Sequence, residues 1–310
     1  MQYDLTLVIP AHNEADRIEA GFERLRPVLE QLGPDCLEVI VVDDGSSDGT
    51  GTLAARAYGA LPHFLAVRQE VNLGKGAAVR LGFSLAEGKR VAVLDADMAI
   101  LPLHLPALLF GLEQAPIAAG SRAIDGAIHY DSALRTWSGA AFNALVRRRT
   151  GTELRDTQCG FKGFTLGAAR LLGALGLVNG FAYDVEVLFL AERLGLGVVA
   201  IPVTWDDVKG SSVRLVRDSR RMWRDINSLR HNNYDCPVVR TAAHPDLDLI
   251  GTSARAARQS GLVVAHNDRD AIVVLPRNGA LAGIDIAQAI GGLLSVATLS
   301  DLAGRQLTAV

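Results

Sequence analysis

The amino-acid sequence predicts an α/β fold: a mostly parallel, doubly wound sheet with a small α+β appendage at the carboxyl end. Short β-branched runs alternate with helically spaced apolar residues in units of roughly 25–30 residues, the rhythm of parallel strands joined by crossover helices. Apolar residues make up 49% of the 310-residue chain, ample for a buried core. The early apolar runs also end in polar clusters at 10–14, 43–50, 72–76 and 95–97. In doubly wound sheets ligands bind beyond the carboxyl ends of the strands, so these clusters converge on one edge and mark a site there.

The elements follow in order. Leu5–Ile9 reads as a strand ending at Pro10, and Ile18, Phe22, Leu25 and Leu29 keep the spacing of a helix. Leu37–Val42 is a second strand, running into Asp43-Asp44-Gly45-Ser46-Ser47-Asp48-Gly49-Thr50, with Leu53 and Ala57 on the next helix. Phe64–Val67 is a third strand, and Asn72-Leu73-Gly74-Lys75-Gly76 opens a helix bearing Val79 and Phe83. Val91–Leu94 is a fourth, closing on Asp95-Ala96-Asp97. Further strands are expected at Ile117–Gly120 and Val198–Val203, with helices over Ala133–Arg149, Val185–Leu194 and Val213–Leu229 and a loop with a short strand over Asp156–Phe164. Residues 1–230 then form the main domain, 231–245 a linker and 246–310 a small module. In that module a hairpin pairs Leu262–Val264 with Ala271–Leu275, followed by a helix near Ile286–Leu294.

Composition narrows the function. A net charge of −3 gives no whole-chain signal for nucleic acid, and none is expected as a partner. Cys36, Cys159 and Cys236 are odd in number and far apart, which fits a reduced, cytoplasmic protein better than a disulfide framework. The opening MQYDLTLVIP leads straight into a strand, so no signal peptide is expected. No apolar run reaches the ~18–20 residues of a membrane-spanning helix.

Two carboxylates at Asp95 and Asp97, leaving a buried strand, can face one ligand. A hard cation bridging two phosphates takes one or two carboxylate oxygens and leaves its other positions to phosphate and water. The plain alternative is a pair of solvated turn acids. Asp43 and Asp44 can accept from a base N–H or a ribose hydroxyl, while Ser47 or Asp48 caps the next helix. Lys75, among glycines at a helix start, can meet a phosphate. The Walker spacing GxxxxGK[ST] is absent.

Val8-Ile9-Pro10-Ala11-His12-Asn13-Glu14, the Asp43–Thr50 cluster, Asn72–Gly76 and Asp95-Ala96-Asp97 together resemble the family 2 inverting glycosyltransferases. Gly120-Ser121-Arg122, Asp156–Lys162 and Phe181–Glu186 resemble the dolichyl- and polyprenyl-phosphate sugar synthases, the glucosyltransferase branch above all. The resemblance spans about residues 4–230 in the family's order. It implies a Rossmann-like GT-A fold, a Mg or Mn ion, and hexose transfer with inversion from a nucleoside-diphosphate sugar to a polyprenyl phosphate. UDP-glucose is the favoured donor and GDP-mannose the next. Carried over by motif, Pro10, Ala11 and Glu14 line the nucleotide pocket, and Asp44, with Asp43, contacts base or ribose. Asp95 lies by ribose and metal, and Asp97 on the metal.

A phosphate acceptor is already ionised and needs cations rather than a base; Arg122, Arg135 and Lys162 are the candidates. A hydroxyl acceptor would need a carboxylate base, for which Asp184 and Glu186 stand ready. Otherwise this pair orients donor or acceptor, or simply complements a helix dipole. Cys159 carries no sign of a nucleophile. Over 213–230, Leu215, Ser219, Met222, Ile226 and Leu229 share a stripe opposite Arg217, Arg220, Arg221 and Arg224. Such a helix either lies on an anionic membrane surface, placing the protein peripherally on the inner face of the cytoplasmic membrane, or packs on the core with a solvated basic face. Ser212 stands where relatives carry a basic residue, which leaves Arg214 or Lys209 to meet the diphosphate. Two other functions stay open: the same donor chemistry on a soluble hydroxyl acceptor, and a catalytically idle sugar-nucleotide-binding protein. The sequence does not set the oligomeric state.

Overall fold

The structure, a computed structural model, describes residues 3–124, 128–129, 146–148, 150, 154, 156–206, 215–229, 238–242, 263–266 and 270–274. The chain divides into two units, Met1–Ala169 with Gly176–Asn232, and Arg170–Leu175 with Asn233–Val310.

In the first unit, β1 (Leu5–Ala11) pairs in parallel with β2 (Leu37–Asp43), Leu5 opposite Leu37 and Ala11 opposite Asp43. Both strands are buried along their whole length, as near-continuous apolar runs require of a sheet covered on both faces, and the buried Thr6 hydroxyl donates to Glu38 at 2.6 Å. The edge strand β3 (Phe64–Arg68) pairs with β2 and is partly exposed; β4 (Arg90–Val93) flanks β1 on the other side. Beyond these come β5 (Ile117–Ser121), the short β6 (Ile128–His129), β7 (Lys162–Thr165), β8 (Val198–Pro202) and β9 (Thr204–Trp205). The seven-stranded sheet runs β3-β2-β1-β4-β7-β5-β8. It is parallel except for β7, which lies antiparallel between β4 and β5. That reversal matters for the site: the first residue of β7, Lys162, sits opposite Val93, the last residue of β4.

The helices are α1 (Ile18–Leu32), α2 (Thr50–Tyr58), α3 (Lys75–Leu85), α4 (Leu105–Gly111), α5 (Leu166–Leu175), α6 (Tyr183–Leu194) and α7 (Leu215–Ser228). Buried Ile18, Gly21, Leu25, Val28 and Leu29 give α1 one inward face against the core of β1, β2 and α2 residues. Asp48 starts α2 by accepting from the backbone N–H and hydroxyl of Thr50, 3.0 and 2.5 Å away.

Several expectations are corrected. β1 does not stop at Ile9: Pro10 and Ala11 pair with Val42 and Asp43, so both belong to the strand. Helices α4 and α5 are additions. The first follows a turn at Pro102–His104 and carries Pro106 in its first turn, which interrupts the periodic signal. Within the 231–245 stretch expected to be a linker lies β10 (Val238–Ala242). It pairs antiparallel with β12 (Asp270–Val274), which also pairs with β11 (Val263–His266) in the expected hairpin. The helices expected over Ala133–Arg149, apart from Val146–Arg148, and near Ile286–Leu294 lie outside the described residues.

Candidate active site

The site occupies the carboxyl edge of the sheet. Asp95 and Asp97 follow β4 in a turn closed by the Met98 N–H donating to the Asp95 carbonyl at 2.9 Å. Met98 takes a left-handed backbone, φ 47°, uncommon for a residue with a side chain. Helix α1 holds this turn from beneath. Gly21 lies against the Ala96 carbonyl so closely that a Cβ would collide with it, and Arg24 donates to the Met98 carbonyl at 3.3 Å. The fold thus invests in one strained turn that presents two carboxylates.

Asp97 accepts from the Ala99 N–H at 3.1 Å, with the Arg17 guanidinium 3.7 Å from its other oxygen. Burial, followed by the charge of Asp95, raises the Asp97 pKa above the ordinary carboxylate value. Arg17 also pairs with Glu14 at 2.7 Å. Burial is the largest influence on Glu14; Arg17 opposes it, Asp97 and Asp95 add to it, and the pKa stands at about 7. Two carboxylates on one turn, Asp95 half-exposed and Asp97 largely buried, suit a cation. Among the described residues no group of three or more His, Cys, Asp or Glu could hold a metal. A cation here would therefore rest on Asp95 and Asp97 and complete its shell from ligand oxygens, the habit of Mg-type sites.

The Asp43–Thr50 cluster is tightly organised. Asp44 is buried, and its two oxygens accept from the Leu73 and Gly74 N–H groups at 2.7 and 2.8 Å. Its carboxylate thereby fixes the loop that leads into α3. Asp43 accepts from the Ser46 N–H at 2.9 Å, and Arg68 stands 3.9 Å from its second oxygen. Gly45, at φ 67°, admits no Cβ because the Val71 and Asn72 backbone passes beside it.

Lys75 begins α3, but the α3 amides are not open to an anion: the Asn179 carbonyl accepts from the Gly76 and Ala77 N–H groups at 2.8 and 3.3 Å. Only the Lys75 side chain reaches into the site, 2.5 Å from Asp95 Oδ1 and 3.8 Å from Asp184 Oδ2. Burial works against its charge, yet Asp95 and Asp184 outweigh it and the pKa rises above the usual lysine value.

The acceptor-side expectations change most. Lys162 is fully buried, with its ammonium bound to Asp184 Oδ1 and the Cys159 carbonyl, each at 2.5 Å. It braces the interior and does not present itself to an acceptor phosphate. Arg122 forms a two-pronged pair with buried Asp156, 2.8 and 3.0 Å, and its backbone N–H adds a third bond to that carboxylate. Burial is the largest single influence on the Asp156 pKa and raises it, but the hydrogen bonds and charge of Arg122, with the charge of Lys162, bring the net shift downward. An acceptor contact by Arg122 would use what this pair leaves over. Glu186 is buried and accepts from the Leu177 and Val178 N–H groups at 2.8 and 3.0 Å. Glu186, expected as base only for a hydroxyl acceptor and otherwise as an orienting or helix-dipole acid, is here engaged with the 177–178 backbone. Asp184 is committed to Lys162 and stands beside Lys75. Cys159 is buried with its pKa pushed up to about 12, as befits an inert thiol. Arg135, Lys209, Ser212 and Arg214 lie outside the described residues.

Sequence reasoning passed over Arg17, Arg24 and Asp156 as individual actors. Arg17 had a signal, its i,i+3 spacing from Glu14. The tertiary partners of the other two had none. For α7, Ile226 and Leu229 are buried, Gln158 donates to the Met222 sulfur at 2.8 Å, and Arg221 and Arg224 are exposed. This carboxyl half packs on the catalytic unit and turns its basic face outward. No described helix is long and apolar enough to cross a membrane.

The comparisons with known proteins agree with this fold. The glycosyl transferase family 2 signature matches residues 6–171. A dolichyl-phosphate beta-glucosyltransferase of Drosophila melanogaster is 36% identical over 239 residues, covering 72% of this chain and 73% of that protein. Its Mus musculus namesake is 34% identical over 243 residues, 73% and 74% of the two chains. Among solved structures, glucosyl-3-phosphoglycerate synthase from Mycobacterium tuberculosis in complex with Mg2+ and uridine-diphosphate superposes with a TM-score of 0.56. It is 21% identical over 77% of this chain and 84% of that one, a likeness of fold. The sheet, the motif order and these relatives together establish a GT-A fold and a glycosyltransferase: the chain belongs to glycosyl transferase family 2.

Proposed function

We propose that the protein transfers a hexose, with inversion, from a nucleoside-diphosphate sugar to a polyprenyl or dolichyl phosphate, with UDP-glucose the first donor to test and GDP-mannose the second. The acceptor comes from the named activity of the relatives. One observation favours it over a hydroxyl acceptor. The two carboxylates suited to act as base, Asp184 and Glu186, are buried and committed, one to lysines and the other to backbone amides. A phosphate oxygen needs no such base, because it is ionised before it attacks.

In this reading the acceptor phosphate oxygen bonds to the anomeric carbon from the face opposite the diphosphate. The carbon–oxygen bond to the nucleoside diphosphate breaks, and its electron pair leaves with the diphosphate. Asp95 and Asp97 would hold Mg or Mn, whose contribution is to offset negative charge on the leaving group. Pro10, Ala11 and Glu14 line the nucleotide side, Asp43 and Asp44 shape the loop beside it, and Lys75 supplies the nearest positive side chain. Arg122, with Arg135 and Arg214, is the remaining cation set for acceptor and diphosphate. The basic face of 213–230 meets the anionic surface that carries the lipid. The test compares polyprenyl phosphate with the corresponding polyprenol. Transfer to the phosphate alone is expected; equal transfer to the alcohol would require a base and overturn this assignment.

A further inference from the structure

Four side chains of alternating charge form one chain through the site. Lys162 is buried and bound to Asp184 Oδ1; Asp184 Oδ2 faces Lys75 at 3.8 Å; Lys75 contacts Asp95 Oδ1 at 2.5 Å. The inner end is fixed, since Lys162 is also tied to the Cys159 carbonyl. The outer end is open, with 41% of the Asp95 side chain exposed against 15% for Lys75 and 5% for Asp184. Gly160 closes over the outer pair: a Cβ there would stand 2.9 Å from the Lys75 ammonium and would run into the Asp95 carboxylate. The ring of Tyr183 flanks Lys75 at 5.6 Å. Lys75 is thus confined to a short path between two carboxylates, one exposed and one buried.

We infer that Lys75 is an internal counter-cation that occupies Asp95 in the nucleotide-free protein and yields it only when a nucleoside diphosphate arrives with the divalent cation. The inference rests on reading Asp95 and Asp97 as the metal carboxylates. An ammonium against Asp95 repels a bare divalent cation and competes with it for the same oxygen. Asp184, already within 3.8 Å, offers Lys75 a second seat a small side-chain movement away. An incoming diphosphate adds negative charge that both cations can share, so the competition is relieved only in its presence. Metal and nucleotide then load as a linked pair, each raising the affinity of the other by the same factor. Lys75 acts here as a positioning residue through Asp95.

The test is direct Mn2+ binding, read from the electron paramagnetic resonance of free Mn2+, with and without UDP or GDP. The wild-type protein is expected to bind Mn2+ at least about tenfold more tightly with its nucleotide, a coupling of ordinary allosteric size. Lys75→Met should bind Mn2+ without nucleotide about tenfold more tightly than wild type and lose most of the nucleotide dependence. Lys75→Gln gives the same reading should the methionine variant not fold. Nucleotide-free affinity that is unchanged or weaker in these variants overturns the role of Lys75, as does wild-type affinity indifferent to both nucleotides. Asp97→Asn separates the two layers. If that variant binds Mn2+ as well as wild type in every condition, the metal-carboxylate reading itself fails. If it loses Mn2+ while the Lys75 variants behave as wild type, only the Lys75 inference falls.

Discussion

Buried acids decide how single residues behave here. Asp156 is almost wholly buried against Arg122, so removing the arginine leaves a charge with its partner gone. Arg122→Ala is expected to cost about 3 kcal/mol in urea denaturation, the usual scale for breaking a buried pair. Full stability with only a raised acceptor KM would instead make Arg122 a ligand contact. Glu14 gives a pH prediction. Its folded pKa of about 7 lies above the ordinary 4.5, so the folded protein holds this proton more tightly than the unfolded chain. Stability from this group is therefore full below about pH 4.5, falls as pH rises towards 7, and is level above that, a total of about 3 kcal/mol. Glu14→Gln should flatten that decline in thermal melts. Identical pH profiles for the two proteins would contradict the assignment.

At the scale of elements, the joint between α3 and the loop before α6 is the feature to probe. Glu186 holds the Leu177 and Val178 amides, Arg80 donates to the Val178 carbonyl at 2.6 Å, and the Asn179 carbonyl caps α3. Gly74, at φ 108°, and Gly76 permit this approach, because a Cβ at either would strike the 178–179 backbone. Glu186→Ala should leave buried amides unsatisfied at a cost of about 1–3 kcal/mol. Hydrogen exchange at Leu177 and Val178 should quicken more than in β1 or β2; uniform exchange across the unit would refute a local brace. Helix α7 carries the second prediction at this scale. Arg221 and Arg224 are exposed, so the double change to Glu should weaken sedimentation with anionic vesicles, and added salt should do the same to the wild type. Vesicle binding unaffected by either would remove the basic face from the account.

For the whole molecule, the fold was legible because strand and helix periods differ. The apolar runs at Leu5, Leu37, Phe64 and Val91 announced the parallel half of the sheet, and the polar clusters behind them announced its working edge. The proline-interrupted α4 carried little periodic signal, and β10 sits in a stretch whose polar residues read as linker. Within the site, residue types were legible but their partners were not. Lys162 and Glu186 resemble ligand contacts until Asp184 and the 177–178 amides come into contact with them. A buried lysine and a phosphate-binding lysine look alike in one dimension, because the pairing that distinguishes them joins residues remote in sequence. The family relationship is firm at the level of domain and reaction class, which leaves donor and acceptor to chemistry.

The measurement that bears most directly on the central claim is transfer of radiolabelled sugar into the organic phase by purified protein given polyprenyl phosphate and Mg or Mn. Label from UDP-glucose, or failing that GDP-mannose, is expected to reach the lipid and to be lost on addition of EDTA or in Asp97→Ala. Donor binding without any lipid-linked product would contradict the polyprenyl-phosphate acceptor, and undiminished transfer in EDTA would contradict the metal at Asp95 and Asp97.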